Sequence, residues 1–166
     1  MKLIPHEPGV RFLFAESELC KRLNGDKKAK APKGFPQWYW YGQQDEYEVL
    51  VLQMLGPSLT DLATSLPGGH RAMTSLKTTL LIAEQGITRV WQMHNKGVLH
   101  TDLKPENILM GTGRLGNMLY IIDFGSSISD TDPRAASPGR IGEPGSNPFV
   151  GTDWFASIAV HEGYRT

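Results

Sequence analysis

Two short apolar runs, Ile108-Leu109-Met110 and Leu119-Tyr120-Ile121-Ile122, flank the segment Gly111-Thr112-Gly113-Arg114-Leu115-Gly116-Asn117. Strand-forming residues on either side of a Gly/Asn-rich connection are the pattern of a β-hairpin. This feature constrains the chain more than any other, because an antiparallel pair returns the backbone beside its starting point. Whatever precedes Ile108 must sit next to whatever follows Ile122. On one side stands His100-Thr101-Asp102-Leu103-Lys104-Pro105-Glu106-Asn107, and on the other Asp123-Phe124-Gly125.

The side chains gathered in this way are those that phosphoryl transfer requires. Asp102 is a carboxylate able to meet a substrate hydroxyl, while Asn107 and Asp123 offer an amide and a carboxylate oxygen from separate elements. Magnesium keeps several waters and takes only one or two protein groups alongside phosphate oxygens. Asn107 and Asp123 are therefore the candidate metal ligands, and Asp102 the candidate partner of the nucleophile.

A chain of 166 residues is one domain's worth, and 40% hydrophobic content supplies a core. Lys plus Arg and Asp plus Glu each number 17, so no overall field attracts nucleic acid or anionic lipid. Nucleic acid is not an expected partner. Cys20 is the only cysteine, no apolar run approaches the ~18 residues of a membrane helix, and no basic-then-apolar leader opens the sequence. These features predict a disulfide-free intracellular protein, cytoplasmic or nuclear, without a membrane span.

Along the chain, Met1-Lys2-Leu3-Ile4 reads as the tail of a strand and Pro5 to Gly9 as a break. The apolar spacing from Val10 to Leu23 predicts a helix stopped at Asn24-Gly25. Asp26 to Gly34 is a basic loop, more often a solvated surface than an import signal. Phe35 to Gln43, with Trp38, Tyr39, Trp40 and Tyr41, and Tyr47 to Met54 read as an antiparallel pair whose aromatics serve core and sheet surface rather than base stacking. A short helix is expected over Leu59 to Leu66. A long one runs from the cap Ser75 through Lys96 to the stop at Gly97. Its stripe of Leu76, Leu80, Ala83, Ile87, Val90, Trp91 and His94 predicts a buried helix. Ser126 to Pro148 has the composition of a mobile loop.

With these residues in view, the chain resembles the protein kinases, and within them the casein kinase I family. The resemblance is carried by Leu55-Gly56-Pro57-Ser58-Leu59, Ser75-Leu76-Lys77-Thr78, the His100 to Asn107 loop, Tyr120 to Gly125, and Gly151-Thr152 followed by Ala156-Ser157-Ile158. It implies an α+β, two-lobe kinase-like fold that is incomplete: a partial antiparallel N-lobe sheet with one helix over residues 1–55, then the first, mainly helical part of the C-lobe over 56–166. In that family a Gly-rich loop would precede Lys2 and a helical half would follow Ser157, so truncation at both ends is expected.

The same resemblance implies an ATP site. Lys2 falls at the strand-three lysine and Glu16 at its helical partner. Leu52 stands at the gatekeeper position, and Gln53, Met54 and Leu55 at the hinge. Ser58 and Asp61 lie near the ribose, and Leu109 and Ile122 sandwich the base. Asp102, Lys104 and Asn107 are the implied catalytic residues, Asn107 and Asp123 the implied magnesium ligands, and serine or threonine hydroxyls of proteins the implied substrates.

Two departures limit what carries over. Thr101 stands where these kinases usually have arginine, and threonine cannot make an arginine's bidentate contact with a phosphate. Ser126 to Asp130 and Gly142 to Asn147 lack cations, so a preference for pre-phosphorylated substrates is not expected. The alternatives are a kinase-like fragment that acts only by binding and, less consistent with Asp123-Phe124-Gly125, a small-molecule phosphotransferase.

Overall fold

A computed structural model of the chain describes residues 1–7, 11–25, 34–65, 75–130 and 151–162. Strands β1 (Lys2–Pro5), β2 (Trp38–Gln44) and β3 (Tyr47–Leu52) form an antiparallel sheet in the order β1-β3-β2. The Val/Leu-rich strand takes the centre because only there are both of its faces covered; Glu48, Val49 and Leu50 are all buried. Helix α1 (Phe12–Asn24) packs on one face of this sheet, with Leu13, Glu16, Ser17, Leu19, Cys20, Leu23 and Asn24 buried. Those positions recur at three- and four-residue intervals, the repeat of a one-sided helix. The Asn24 side chain donates to the carbonyls of Cys20 and Pro36, which ties the end of the helix to the start of the next segment.

The second part begins with a connector, residues 53–57, laid against the hairpin. Gly56 donates to the Met110 carbonyl and Met110 to that of Pro57. A Cβ on Gly56 would lie 2.9 Å from the Gly111 carbonyl oxygen, so only glycine allows this approach. Helices α2 (Leu59–Ser65) and α3 (Leu76–His94) follow, then strand β4 (Val98–Leu99). Ser75 caps α3 by accepting from the Thr78 amide at 3.1 Å, and Gly97 ends it with φ +65°.

The hairpin forms as its sequence demands. Strands β5 (Ile108–Met110) and β6 (Leu119–Ile121) pair antiparallel, Leu109 opposite Tyr120. Strand β7 (Ile128–Ser129) pairs with β4, and the short helix α4 (Ile158–His161) closes the described chain. The architecture is α+β: a small antiparallel sheet with one helix, then a mainly helical part, consistent with a partial kinase-like fold. Leu19, Cys20 and Leu23 of α1 share one core with Phe35, Met93 of α3, Val98, Ile121 and Phe124. That core fixes the hairpin end beneath α1.

Several expectations need correction. Ile128 and Ser129 are a strand rather than loop, because β4 offers them an edge; residues 131–148 of that stretch lie outside the described residues, as do Val10 and Leu66. Of the β2 aromatics, Tyr39 and Trp40 lie on the exposed sheet surface, while Trp38 and Tyr41 are half-buried. The largest correction is on α3. Its buried residues are Arg89 and Met93, which turn toward β4 and β6, whereas Leu76, Leu80, Ile87 (71% exposed) and Trp91 (63%) face outward. With Leu59, Leu103, Pro105, Ile108 and Phe155, the α3 face borders an apolar groove of about 680 Å³.

A contiguous apolar surface of this kind favours association. Replacing Ile87 and Trp91 together by lysine is expected to lower apolar-dye binding and shift sedimentation toward monomer without changing the fold. Unchanged dye binding would show that the face is already covered in solution.

Candidate active site

The loop from His100 to Asn107 is held from below. His100 is buried; its Nε2 lies 2.9 Å from the Ile122 carbonyl and its Nδ1 accepts the Asp102 amide at 3.3 Å. A ring bonded to a carbonyl through one nitrogen and to an N–H through the other is neutral with its proton on Nε2. Burial, the largest influence, pushes its pKa down and favours the same form. The ring edge meets Phe124 at a centroid distance of 5.4 Å, so one histidine clips the loop to the far end of the hairpin. The next residue, Thr101, has φ +68°, an outlier for a β-branched side chain. Its hydroxyl donates to the Ser126 carbonyl at 2.8 Å, which helps hold the strained turn.

Asp102 is gripped on both oxygens. Lys104 Nζ lies 2.7 Å from Oδ2, the Thr152 hydroxyl donates to Oδ1 at 2.6 Å, and Lys104 also donates to that hydroxyl at 2.9 Å. Burial alone would raise the Asp102 pKa, but the bonds from Lys104 and Thr152 outweigh it and hold the carboxyl below its ordinary value. Asn107, in the short 3₁₀ turn Pro105–Asn107, donates from Nδ2 to the Asp102 carbonyl at 2.9 Å. The Ile122 amide donates to the Asn107 carbonyl at 3.0 Å, the bond that sets Asn107 beside the residue preceding Asp123.

Asp123 has φ +66°, and its Oδ1 lies 2.6 Å from Lys2 Nζ. The same ammonium is 2.6 Å from Oε1 of Glu16, which is 2% exposed. Lys2 therefore joins β1, α1 and the hairpin end in a single contact. Burial works to lower its pKa, but the charge of Glu16 and the bonds to Asp123 and Glu16 prevail and raise it.

A family model described as "Protein kinase domain" matches residues 27–160, most of the chain. The chain belongs to the protein kinase family. Lys2 and Glu16 precede the matched residues, so their pairing rests on the geometry.

The kinase fold brings some of the expected residues together and gives others different surroundings. Lys2, Glu16 and Asp123 form one cluster, and Asp102, Lys104 and Asn107 another. Leu52, Leu109 and Ile122 are half-buried, and Ser58 bridges to Leu109. Gln53 is tied to Gln37 through its amide nitrogen and its side-chain oxygen; Leu55 is half-buried, and Met54 is 86% exposed. Ser58 and Asp61 bond each other reciprocally at the start of α2, with Ser58 Oγ donating to Asp61 at 2.7 Å and accepting the Asp61 amide at 3.0 Å. This is a helix-capping arrangement, a role the sequence reading missed.

Thr152 was also missed as a site residue. Gly151-Thr152 is visible as a motif, but a lone threonine some fifty positions beyond Asp102 carries no local signal of contact with it. Thr152→Ala is expected to cut kcat by about tenfold, because Asp102 and Lys104 each lose a hydrogen-bond partner, and Thr152→Ser should restore most of the rate. Steady-state phosphorylation assays on both variants decide this; equal rates in alanine and serine would remove the hydroxyl from the argument.

Proposed function

We propose that the chain is part of a serine/threonine protein kinase of the casein kinase I type, with residues 1–55 contributing to the N-lobe and 56–166 to the C-lobe. The observation that carries this reading is Asp102, an ionised carboxylate oriented by Lys104 and Thr152 and backed by Asn107. In this role Asp102 orients a serine or threonine hydroxyl and accepts its proton, while Lys104 steadies the transferred phosphate. Catalysis of this kind is chiefly positioning and charge stabilisation, which is what a preassembled triad supplies.

For ATP, Lys2 held by Glu16 supplies the cation for the phosphates. Leu52, Leu109 and Ile122 supply apolar surface for the base, residues 53–55 supply backbone groups at its edge, and Ser58 and Asp61 lie at the ribose end. Asn107 and Asp123 fit magnesium as hard oxygen donors. Asn107 commits its amide nitrogen to Asp102, so the amide oxygen is the ligand atom, and Asp123 already bears a cation, the Lys2 ammonium. Held by these two residues, magnesium would supply positive charge to offset that of the phosphates. Among the described residues no helix is long and apolar enough to cross a membrane.

The test is transfer from γ-labelled ATP to mixed peptide substrates with and without magnesium, followed by phosphoamino-acid analysis. Label on serine and threonine that requires magnesium is the expected result. Label on tyrosine alone would overturn the specificity, and no nucleotide-dependent transfer at all would favour a kinase-like chain that acts by binding.

A further inference from the structure

Helix α1 lacks the usual means of satisfying its first turn. Arg11 stands at the N-cap with no side-chain cap bond, and no acidic residue occupies the first turn. The first amides of a helix need an acceptor from elsewhere. One comes from the sheet: Glu48 of β3 accepts the Leu13 amide through Oε2 at 3.0 Å, and Oε1 accepts the Tyr41 hydroxyl of β2 at 2.7 Å. The Glu48 carboxylate is only 2% exposed. Tyr41 also meets the Phe14 ring at a centroid distance of 5.8 Å, and the Arg11 guanidinium lies over the Phe14 ring, 5.9 Å from its centroid.

The register shows what this does for the site. Lys2 pairs with Leu50 and Ile4 with Glu48, so Lys2 and Glu48 lie on the same face of adjacent strands, the face under α1. Tyr41 pairs with Leu50 and belongs to that face too. The sheet therefore grips α1 twice from one surface: Lys2 holds the Glu16 carboxylate, and Glu48 holds the Leu13 amide three residues earlier. A carboxylate that accepts from a first-turn amide makes a charge-assisted bond and also interacts favourably with the positive end of the helix dipole. Its loss would leave α1 free to swing about its later turns, and Glu16 would leave Lys2 with it.

We propose that Glu48, steadied by Tyr41, is a positioning residue for phosphoryl transfer: it docks the first turn of α1 on the sheet and so holds Glu16 against Lys2. The proposal rests on the kinase reading for its functional half and on the contacts alone for its structural half. Period-two alternation hides it in sequence, where a glutamate in a Val/Leu strand reads as a solvent-facing residue.

Amide hydrogen exchange and MgATP titration on the purified chain test both halves. In Glu48→Met, exchange at Leu13 and Phe14 should accelerate about tenfold or more relative to β3. MgATP affinity should fall several-fold, and that fall should vanish in a Glu16→Gln background. Glu48→Gln, which keeps an acceptor, should recover most of the protection. Tyr41→Phe, which leaves the bond to Leu13 intact, should give a smaller change in the same place and carries the test if Glu48→Met does not fold. Unchanged protection at Leu13 in Glu48→Met, or in Tyr41→Phe where only that variant folds, overturns the clasp. Equal acceleration across α1 and β3 overturns the positioning role in favour of general stability. Wild-type protein that protects Leu13 but binds no MgATP overturns the kinase reading and not the clasp.

Discussion

Asp102→Asn is expected to lower phosphoryl transfer by about 10²–10⁴-fold while leaving MgATP affinity nearly unchanged. The substitution is close to isosteric and keeps an oxygen to accept the Thr152 hydroxyl, which in the native site lies 2.6 Å from Oδ1. What it removes is the negative charge that Lys104 neutralises at 2.7 Å and the capacity to take a proton from the attacking hydroxyl. Neither Lys2 nor Asp123 bonds to Asp102, and Asn107 keeps its 2.9 Å bond to the backbone carbonyl of residue 102, so the groups proposed to hold nucleotide and metal stay in place. The two effects separate cleanly in measurement: steady-state peptide phosphorylation should collapse, and calorimetric titration with MgATP should not. Near-normal turnover would sink the role of Asp102, whereas a parallel loss of nucleotide affinity would mean that the loop had collapsed. The lowered pKa of Asp102 adds a sign. Its ionised form contributes stability above the ordinary aspartate range and loses it as pH falls through the depressed value, so this carboxylate should not titrate between pH 5 and 8.

Much of this site could be read before any coordinates, and the reason is topological. A hairpin signal is local, and once Ile108–Met110 and Leu119–Ile121 pair, Asn107 and the residues after Ile121 are neighbours by necessity. Lys2 and Glu16 were singled out by resemblance, and their side chains lie 2.6 Å apart. What stayed hidden depends on contacts between distant segments. Thr152 meets Asp102 across a stretch without apolar periodicity, and Glu48 meets α1 because of a strand register that no single segment encodes. On α3 the period was right and the face was wrong. A helix with Leu81, Ile82, Val90 and Met93 as well as Leu76, Ile87 and Trp91 is apolar on more than one side, and periodicity cannot say which side packs. Here the short strands β4 and β6 drew in Arg89 and Met93. Ser58 and Asp61, placed by resemblance near a ribose, also cap α2, a second role that their sequence did not announce.

Asp123→Ala should abolish the magnesium dependence of nucleotide binding rather than nucleotide binding itself. In the native chain the Asp123 carboxylate shares the Lys2 ammonium with Glu16, each at 2.6 Å. Removing it takes away a proposed metal ligand but leaves Lys2 its buried partner Glu16, and with it a cation for the phosphates. In the native chain the Lys2 pKa is raised, so the contribution of its ion pairs is fully present below 10.5, the ordinary lysine value, and is lost only as pH rises through the higher folded one. Removing a negative charge beside a triphosphate also relieves repulsion when no metal is present. ATP affinity measured in chelator should therefore stay level or rise slightly, while the gain on adding magnesium, expected to be about tenfold or more in wild type, should disappear. Lys2→Met gives the contrasting pattern, a loss with and without metal, because the phosphate cation itself is gone. Titrating ATP into wild type and both variants, each with magnesium and with chelator, separates the two roles. A magnesium-dependent gain that survives in Asp123→Ala would place the metal on residues other than this carboxylate, and Asn107 alone could not then define the site.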